Sequence, residues 1–270
     1  LRNQDSLHGY YAWQRDERGE PTLQYAAGTA IPGFGDTRQS HRQIGTLNES
    51  HIFSSNLVNE ARFGFNRINI TFTPNAQLNP VDYGIQVGVD RPIGLPLIAI
   101  NGLGLQFGGP NNFPQGRTDT TFVFSDSASY LRGAHSMKFG GEFRRFRNTN
   151  FTSDTGLFQF PNLQGFQNGV GNQFTITLGD RPSDVVQQAL GLFAQDAFRL
   201  NSKLTIEAGI RYDLNMSPTE AEDRFVLFDA STNSLVQVGG PGGPDQVYPN
   251  SNNVVPRVGP VGRCTRRKSR

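Results

Sequence analysis

The chain has 270 residues, 36% hydrophobic and 18% charged, enough for one large domain or two ordinary ones. Its formal charge is +2, but residues 263–270 carry five positive charges, so the rest of the chain has a formal charge of −3 and nucleic-acid binding could be argued from this tail alone. The single Cys264 excludes an internal disulfide framework and a cysteine metal cluster. The sequence contains no run of about 18 apolar residues, so no transmembrane helix is predicted.

Alternation of apolar and polar residues predicts eight strands, in a chain whose 31 glycines and 21 phenylalanines suit strands and loops better than helices. Because the side chains of a strand point alternately to its two faces, each strand has one apolar and one polar face. In chain order the strands are residues 4–14, 42–53, 57–68, 121–131, 136–146, 192–200, 204–214 and 253–262.

Three tight turns divide six of these strands into hairpins. The first predicted turn is Ser54-Ser55-Asn56, and the second is Gly133-Ala134, with glycine in the first position that a type II′ turn requires. The third is the three-residue loop 201–203, which pairs Phe198 with Ile206 and Ala194 with Ile210, so that the apolar faces of both strands coincide.

Loops of about 25 to 50 residues separate the hairpins and always lie at the opposite end from the tight turns. Such loops are uncommon inside compact soluble domains, whereas outer-membrane barrels have short periplasmic turns and long extracellular loops. The pattern predicts an all-β fold, an antiparallel up-and-down transmembrane β-barrel segment of about eight strands. The alternative is a secreted or cell-surface β-sandwich module that binds glycans or proteins through its loops.

Three motifs of the second half resemble barrel strands of TonB-dependent outer-membrane transporters, most closely those of the Oar-like group. A QD-aromatic strand is followed by an LT-x-x-x-G-x-RY strand and, after a long loop, by a PRxG strand. The matching residues are Gln195, Asp196 and Phe198, then Leu204, Thr205, Gly209, Arg211 and Tyr212, then Pro256, Arg257 and Gly259.

The resemblance implies a larger barrel of about 22 strands filled by an N-terminal plug. We therefore interpret residues 1–262 as a partial barrel domain that lacks the plug and the remaining strands. The basic tail, residues 263–270, breaks the alternation and is expected to lie outside the fold, as a solvated tail or through a shifted reading frame.

The resemblance also implies ligand capture and energy-coupled uptake across a Gram-negative-type outer membrane. Its expected partners are membrane lipid, the TonB complex through the plug, and an unknown small-molecule, peptide or glycan ligand; nucleic acid is not among them. No common nucleophile, zinc or phosphate motif is present, and the four histidines stand at no ligand spacing. We therefore expect no enzyme activity, no metal site and no cofactor.

Charged and polar residues on the polar faces are candidates for lining the barrel lumen. Two acid-base combinations are evident, Glu207 with Arg211 and Glu142 with Arg144. Strict alternation places Asp196 on the apolar face, and only a bulge in the strand would return it to the lumen. The face on which Asp126 lies is open for the same reason. The lumen candidates are Gln195, Arg199, Glu207, Arg211, Glu142 and Arg144.

Overall fold

The structure is a computed structural model and describes residues 4–22, 31–86, 94–178 and 182–262. Regular structure in these ranges is mostly strand, with one short helix, α1 (Leu163–Gln167), and two 3-10 turns, Pro80–Tyr83 and Asn101–Leu103. None of the helices described is long and apolar enough to cross a membrane. The strands are β1 (Asp5–Glu20), β2 (Asp36–Ser54), β3 (Leu57–Pro74), β4 (Leu97–Ile100), β5 (Leu105–Gly108), β6 (Gln115–Arg132), β7 (His135–Thr152), β8 (Leu157–Phe160), β9 (Gln173–Thr175), β10 (Ser183–Arg199), β11 (Leu204–Asn215), β12 (Thr219–Glu220), β13 (Val226–Asp229), β14 (Ser234–Gln237) and β15 (Ser251–Gly262).

Eight long strands form one antiparallel sheet in the order β1-β2-β3-β6-β7-β10-β11-β15, and the short β12 pairs with β10. Each long strand lies beside the long strand that follows it in the chain, so the predicted up-and-down arrangement of eight strands is confirmed. β1 and β15 each have one neighbour among the described strands, which leaves two open edges.

The β10–β11 hairpin has the predicted register. Phe198 lies opposite Ile206 and Ala194 opposite Ile210. The Asn201 side chain closes the loop, because its Oδ1 accepts the backbone N–H groups of Lys203 at 2.9 Å and Leu204 at 3.0 Å. This is a local turn that asparagine favours, and it fixes which faces of the two strands coincide.

The other two turns differ in how well the sequence predicted them. Gly133 has a φ of +62°, as the first position of the predicted two-residue turn requires. The turn between β2 and β3 is shorter than predicted, because Ser54 still pairs with Leu57. A register shift between Ile52 and Ser54 absorbs the extra residue.

The strands are longer than predicted at the loop end. β3 continues to Pro74, β6 begins at Gln115, β7 continues to Thr152 and β10 begins at Ser183, all in segments that were predicted to be irregular. The extension of β3 still alternates, but its apolar residues Ile70 and Phe72 lie on the same face as Arg62 and not on the face of Phe63. The extensions of β6 and β7 consist mainly of Gln, Arg, Asn, Asp and Thr, so they have no apolar face from which a strand could be predicted.

Two of the long loops fold together into a second sheet of order β5-β4-β8-β9, which we call the loop cap. Its β4 runs parallel to β8, although more than fifty residues separate them in the chain. The cap contains the buried hydrophobic side chains of the described residues, Ala99, Ile100 and Phe113. Phe113 also packs against Phe72 at the end of β3, with ring centroids 5.4 Å apart, so the cap is joined to the main sheet.

The loop between β11 and β15 is tied to β10 by a buried carboxylate. Glu220 is 6% exposed and accepts the backbone N–H groups of Asp184 at 3.0 Å, Glu222 at 2.9 Å and Arg224 at 3.0 Å. Burial disfavours the charged form, but these donors and the Arg224 guanidinium outweigh it and lower the pKa of Glu220 below its ordinary 4.5. The carboxylate is therefore charged wherever the loop is folded at neutral pH.

Replacing Glu220 with glutamine is expected to loosen this loop by about 1 kcal/mol, because one charged acceptor of three N–H groups is lost. Amide hydrogen exchange at residues 184, 222 and 224 should become roughly fivefold faster at pH 7. Because the folded pKa is depressed, protection in the unmodified protein should be complete above pH 4.5 and lost as the pH falls through the lower folded value. The control is Glu222→Gln, whose side chain is 71% exposed, and equal protection in both variants would contradict the tie.

Candidate functional site

The strand register gives the main sheet two chemically different faces. Directly opposite residues of antiparallel strands share a face, so the pairing of all eight strands assigns every side chain to one or the other. One face, here called the apolar face, carries a belt of large side chains that no second sheet in the described ranges covers. It includes Phe63, 41% exposed, Phe124, 52%, Phe139, 48%, Leu192, 46%, and Ile210, 52%.

The opposite face, here called the polar face, carries ion pairs between residues two apart on the same strand. Glu60 pairs with Arg62 on β3 at 3.1 Å, and Glu142 pairs with Arg144 on β7 at 2.5 Å. On β11 the guanidinium of Arg211 contacts the carboxylate of Asp213 at 2.8 Å. Because residues i and i+2 of a strand point to the same side, each pair is formed within its own strand.

These pairs surround a cavity of about 270 Å³ that spans five neighbouring strands of the polar face. A site of this kind offers both signs of charge together with hydroxyl groups, so it suits a polar ligand or a polar protein surface. Its lining on this face includes Glu60, Arg62, Ser125, Ser127, Glu142, Arg144 and Arg211.

Gly191 of β10 gives the Arg211 side chain the space to lie across the sheet. It is directly opposite both Glu142 and Asp213. A Cβ atom at Gly191 would lie 2.9 Å from Nη2 of Arg211 and 3.1 Å from Oδ1 of Asp213, both tighter than ordinary contacts. The glycine therefore allows the guanidinium of β11 to approach the Glu142 carboxylate of β7.

All six lumen candidates lie on the polar face, but the structure brings only some of them together. Glu142, Arg144 and Arg211 line the 270 Å³ cavity, and Gln195 lines a neighbouring cavity of about 380 Å³ together with Arg211. Arg199 and Glu207 lie toward the tight turn and line neither cavity.

The combination of Glu207 with Arg211 does not form a contact. Four residues of a strand span about 13 Å, so the two side chains share a face but do not meet. Arg211 instead donates from Nε to both oxygens of Asp213, at 3.0 and 2.9 Å. The combination of Glu142 with Arg144 is confirmed as an ion pair.

Five further residues complete these cavities or their ion pairs but were not among the lumen candidates, and Arg257 was named only for the PRxG motif: Glu60, Arg62, Lys138, Asp213 and Arg257. Their positions in the alternating pattern could have identified them, because each lies on the same face of its strand as the six candidates. The predicted register of the last hairpin places Asp213 opposite Gly191, whereas Lys138 and Gln195 belong to different hairpins, whose pairing the sequence did not reveal.

Asp196 and Asp126 remain on the apolar face without a bulge, since the pairing of β10 and β6 shows no register shift. Asp196 Oδ2 lies 2.6 Å from Nδ1 of His135, whose ring stacks on Phe198 at 4.6 Å. Asp126 accepts a hydrogen bond from the Asn59 side chain at 2.9 Å. The face of these two acids, which the sequence left open, is therefore the one that strict alternation gives, and a polar partner stabilises each acid where it stands.

One group of side chains at the tight-turn end has atoms suited to a metal ion. Asp5, Glu49 and His51 place one oxygen or nitrogen each within 4.8 Å of one another, and the Asp5 carboxylate contacts Nδ1 of His51. Three such donors correspond to an open site rather than to a closed structural zinc site. The expectation of no metal site rested on sequence spacing, which does not reveal groups formed between paired strands.

A family model described as an outer membrane beta barrel domain matches residues 1–265. Among solved structures the chain is similar to the crystal structure of BauA, the ferric preacinetobactin receptor from Acinetobacter baumannii, with 11% identity and a TM-score of 0.42. That alignment covers 98% of this chain and 36% of the BauA chain, so the chain spans about a third of its length. No curated protein matches the sequence. The family match and the up-and-down sheet together show that the chain belongs to the outer membrane β-barrel domain family and is located in the outer membrane.

Proposed function

We propose that this chain is part of the barrel of a TonB-dependent outer-membrane receptor of the Oar-like group. Its loops capture a small-molecule, peptide or glycan ligand, and the complete protein takes that ligand inward unchanged with energy delivered by TonB. In this proposal residues 1–262 form a partial barrel domain, and the plug belongs to the complete protein. The tight turns face the periplasm and the loop cap faces the outside.

The observation that carries the proposal is the contrast between the two faces. A belt of exposed Phe, Leu and Ile on one face suits lipid, while the other face carries three ion pairs around a cavity. This is the arrangement of a barrel with an apolar exterior and a polar interior. Gln195, Arg199, Glu207, Arg211, Glu142 and Arg144 then face the lumen, where they would contact water, the plug or the ligand.

The open edges support a larger barrel. In lipid, the unpaired N–H and C=O groups along β1 and β15 would have no water partner, so the two edges must be closed by pairing. Residues 1–262 expressed alone are therefore expected to aggregate or to form a curved open sheet. A monodisperse, heat-resistant monomer in detergent would instead identify a complete small barrel.

The competing β-sandwich would bury its apolar face beneath a second sheet. Here the long strands belong to one sheet, and the other described sheets are formed by short strands from the loops. The loop cap has its own small core, so it has the structure of a folded extracellular loop rather than of half of a sandwich.

Recovery of TonB with the complete protein tests the energy coupling. The tagged complete protein is cross-linked in intact cells and purified, beside a variant that lacks the segment preceding the barrel. We expect TonB to be recovered with the first protein only, with both variants in the outer membrane. If both proteins insert correctly into the membrane but TonB is recovered with neither, the transport proposal is contradicted, whereas the assignment of the chain to an outer-membrane barrel still stands.

A further inference from the structure

Above the belt, on the loop side of the apolar face, arginine replaces phenylalanine. On β3 the alternation runs Phe63, Phe65, Arg67, and on β7 it runs from Phe143 to Arg145 and Arg147. Arg67 and Arg147 lie at the same level, each directly opposite Thr120 of the intervening β6. We call Arg67, Arg145 and Arg147 the basic rim.

Two of the three rim arginines have no ion-pair or hydrogen-bond partner in the part of the chain that the structure describes. Arg147 is held by Asp184, with Nε 2.8 Å from Oδ1 and Nη2 2.5 Å from Oδ2. Arg67 and Arg145 form no ion pair or hydrogen bond there, although Arg145 is attracted to Asp184 at longer range and each strand has a polar-face arginine paired with a glutamate. Their guanidinium groups are therefore available to a ligand outside the chain.

A cavity of about 610 Å³ opens on this face beside Arg67. Its other lining residues are Trp13, His41, Gln43 and Asn69, and all five side chains belong to the apolar face. The lining offers N–H donors and a positive charge without a carboxylate. Trp13, 57% exposed, is of the type enriched where a membrane protein passes from hydrocarbon to headgroups.

The sign of the charge reverses at the other end of the same face. Near the tight turns the apolar face carries Asp5, Glu49, Asp126 and Asp196. At the loop end the acid Asp184 is neutralised by Arg147. β1 adds Arg15 and Glu17 there, which cancel each other in charge, so Arg67 and Arg145 supply a net positive charge.

We propose that the basic rim and the adjoining cavity bind the phosphate groups of an anionic glycolipid in the outer leaflet. Guanidinium groups match phosphate oxygens in geometry and charge, and their position just above the belt is where lipid headgroups begin. Phe122, directly opposite Arg145, and Phe65, opposite Phe122 on β3, would contact the acyl chains of the same lipid. The inference rests on the assignment of the apolar face to lipid and is independent of which ligand the loops capture.

The test measures lipid binding by the complete barrel, purified in a neutral detergent, with native mass spectrometry. Three probes are titrated: a diglucosamine glycolipid with two phosphates, the same lipid without phosphates, and inorganic phosphate. The variant is Arg67→Gln with Arg145→Gln. The control is Arg42→Gln with Arg117→Gln, which removes the same charge from the polar face of β2 and β6 at a similar height.

We expect the phosphorylated lipid to bind best, and the rim variant to bind it about 25-fold more weakly, since each arginine near an anionic surface contributes about fivefold. The control should stay within about twofold. Equal binding of the lipid with and without phosphates, or equal loss in both variants, would overturn the proposal. Binding of inorganic phosphate alone would overturn the proposal and assign the cavity to a free anion. Recovery of TonB with the rim variant is measured separately, so that a failure of lipid binding is distinguished from a failure of the transport proposal.

Discussion

Replacing Leu192 with arginine is expected to lower the free energy of unfolding from a bilayer by about 2 to 4 kcal/mol, the cost of a cation on the lipid face near the midplane. Leu192 is 46% exposed and lies in the middle of the belt, opposite Tyr212 and Gly141. Its directly opposite neighbours are not acidic, and the carboxylate of Asp126, which lies in the same row beyond Gly141, already accepts a hydrogen bond from Asn59. Equilibrium unfolding of the complete barrel from phospholipid vesicles measures the change.

The matched control is Ala197→Arg on the same strand, where the side chain points to the polar face and lies opposite Glu207. Its cost should stay below about 1 kcal/mol. Ala208→Arg should fall between the two, because Ala208 belongs to the apolar face but has Asp196 directly opposite. Equal costs at Leu192 and Ala197 would contradict the assignment of the two faces.

Replacing Gly108 with valine is expected to unfold the loop cap while leaving the main sheet intact. Gly108 ends β5 with a φ of +92°, and a Cβ atom there would lie 2.1 Å from the carbonyl oxygen of Pro96. Backbone strain and overpacking together cost roughly 3 to 5 kcal/mol. Because β4 also pairs with β8, the disruption should extend to the loop between β7 and β10.

Limited proteolysis of the complete protein in its membrane measures this effect, with cleavage expected in both cap loops and the barrel band still resistant to heat in gels. The control is Gly104→Ala in the same segment, with a φ of +59° and no atom within 4 Å of the added Cβ. It carries only the conformational cost of about 1 to 2 kcal/mol. Cleavage of both variants at the same rate would contradict the argument from close approach.

The main sheet could be predicted because its information is local. The β10–β11 hairpin combines strict alternation with a turn whose length must keep Phe198 and Ile206 on one face, and both features are evident within a single segment. The extension of β7 could not be predicted, because polar residues on both faces remove the alternation beyond the belt. The extension of β3 does alternate, but Ile70 and Phe72 lie on the face opposite to Phe63.

The loop cap could not be predicted for a different reason. β4 and β8 have four residues each and pair in parallel across a large sequence separation. Neither segment is long enough to show a periodicity, and no tight turn connects them, so nothing in the sequence predicts their pairing. The glycines and prolines around them suggested irregular structure. In fact Gly108 and Gly109 permit the close approach of the backbone at Pro96 and Leu95.

The polar face was predicted as a surface but not as a set of contacts. Alternation places Arg211 and Glu207 on one side, yet the partner of Arg211 is the nearer Asp213. Likewise, alternation places Asp196 on the apolar face, but only the pairing of β10 with β7 shows that His135 stabilises it there. Side-chain contacts depend on register across strands, which single-strand patterns do not contain.

We propose that this sheet spans the outer membrane with its tight turns in the periplasm and its loops outside. Single cysteines are placed in the complete protein, with Cys264 replaced, at the exposed loop positions Asn168 and Gln246 and at the exposed turn positions Ser55 and Ser202. An impermeant thiol reagent applied to intact cells should label the two loop positions and should reach the two turn positions only after the outer membrane is opened. Labelling of Ser55 and Ser202 on intact cells, with Asn168 and Gln246 silent, would contradict the orientation, and labelling of all four on protein released into the medium would contradict membrane insertion itself.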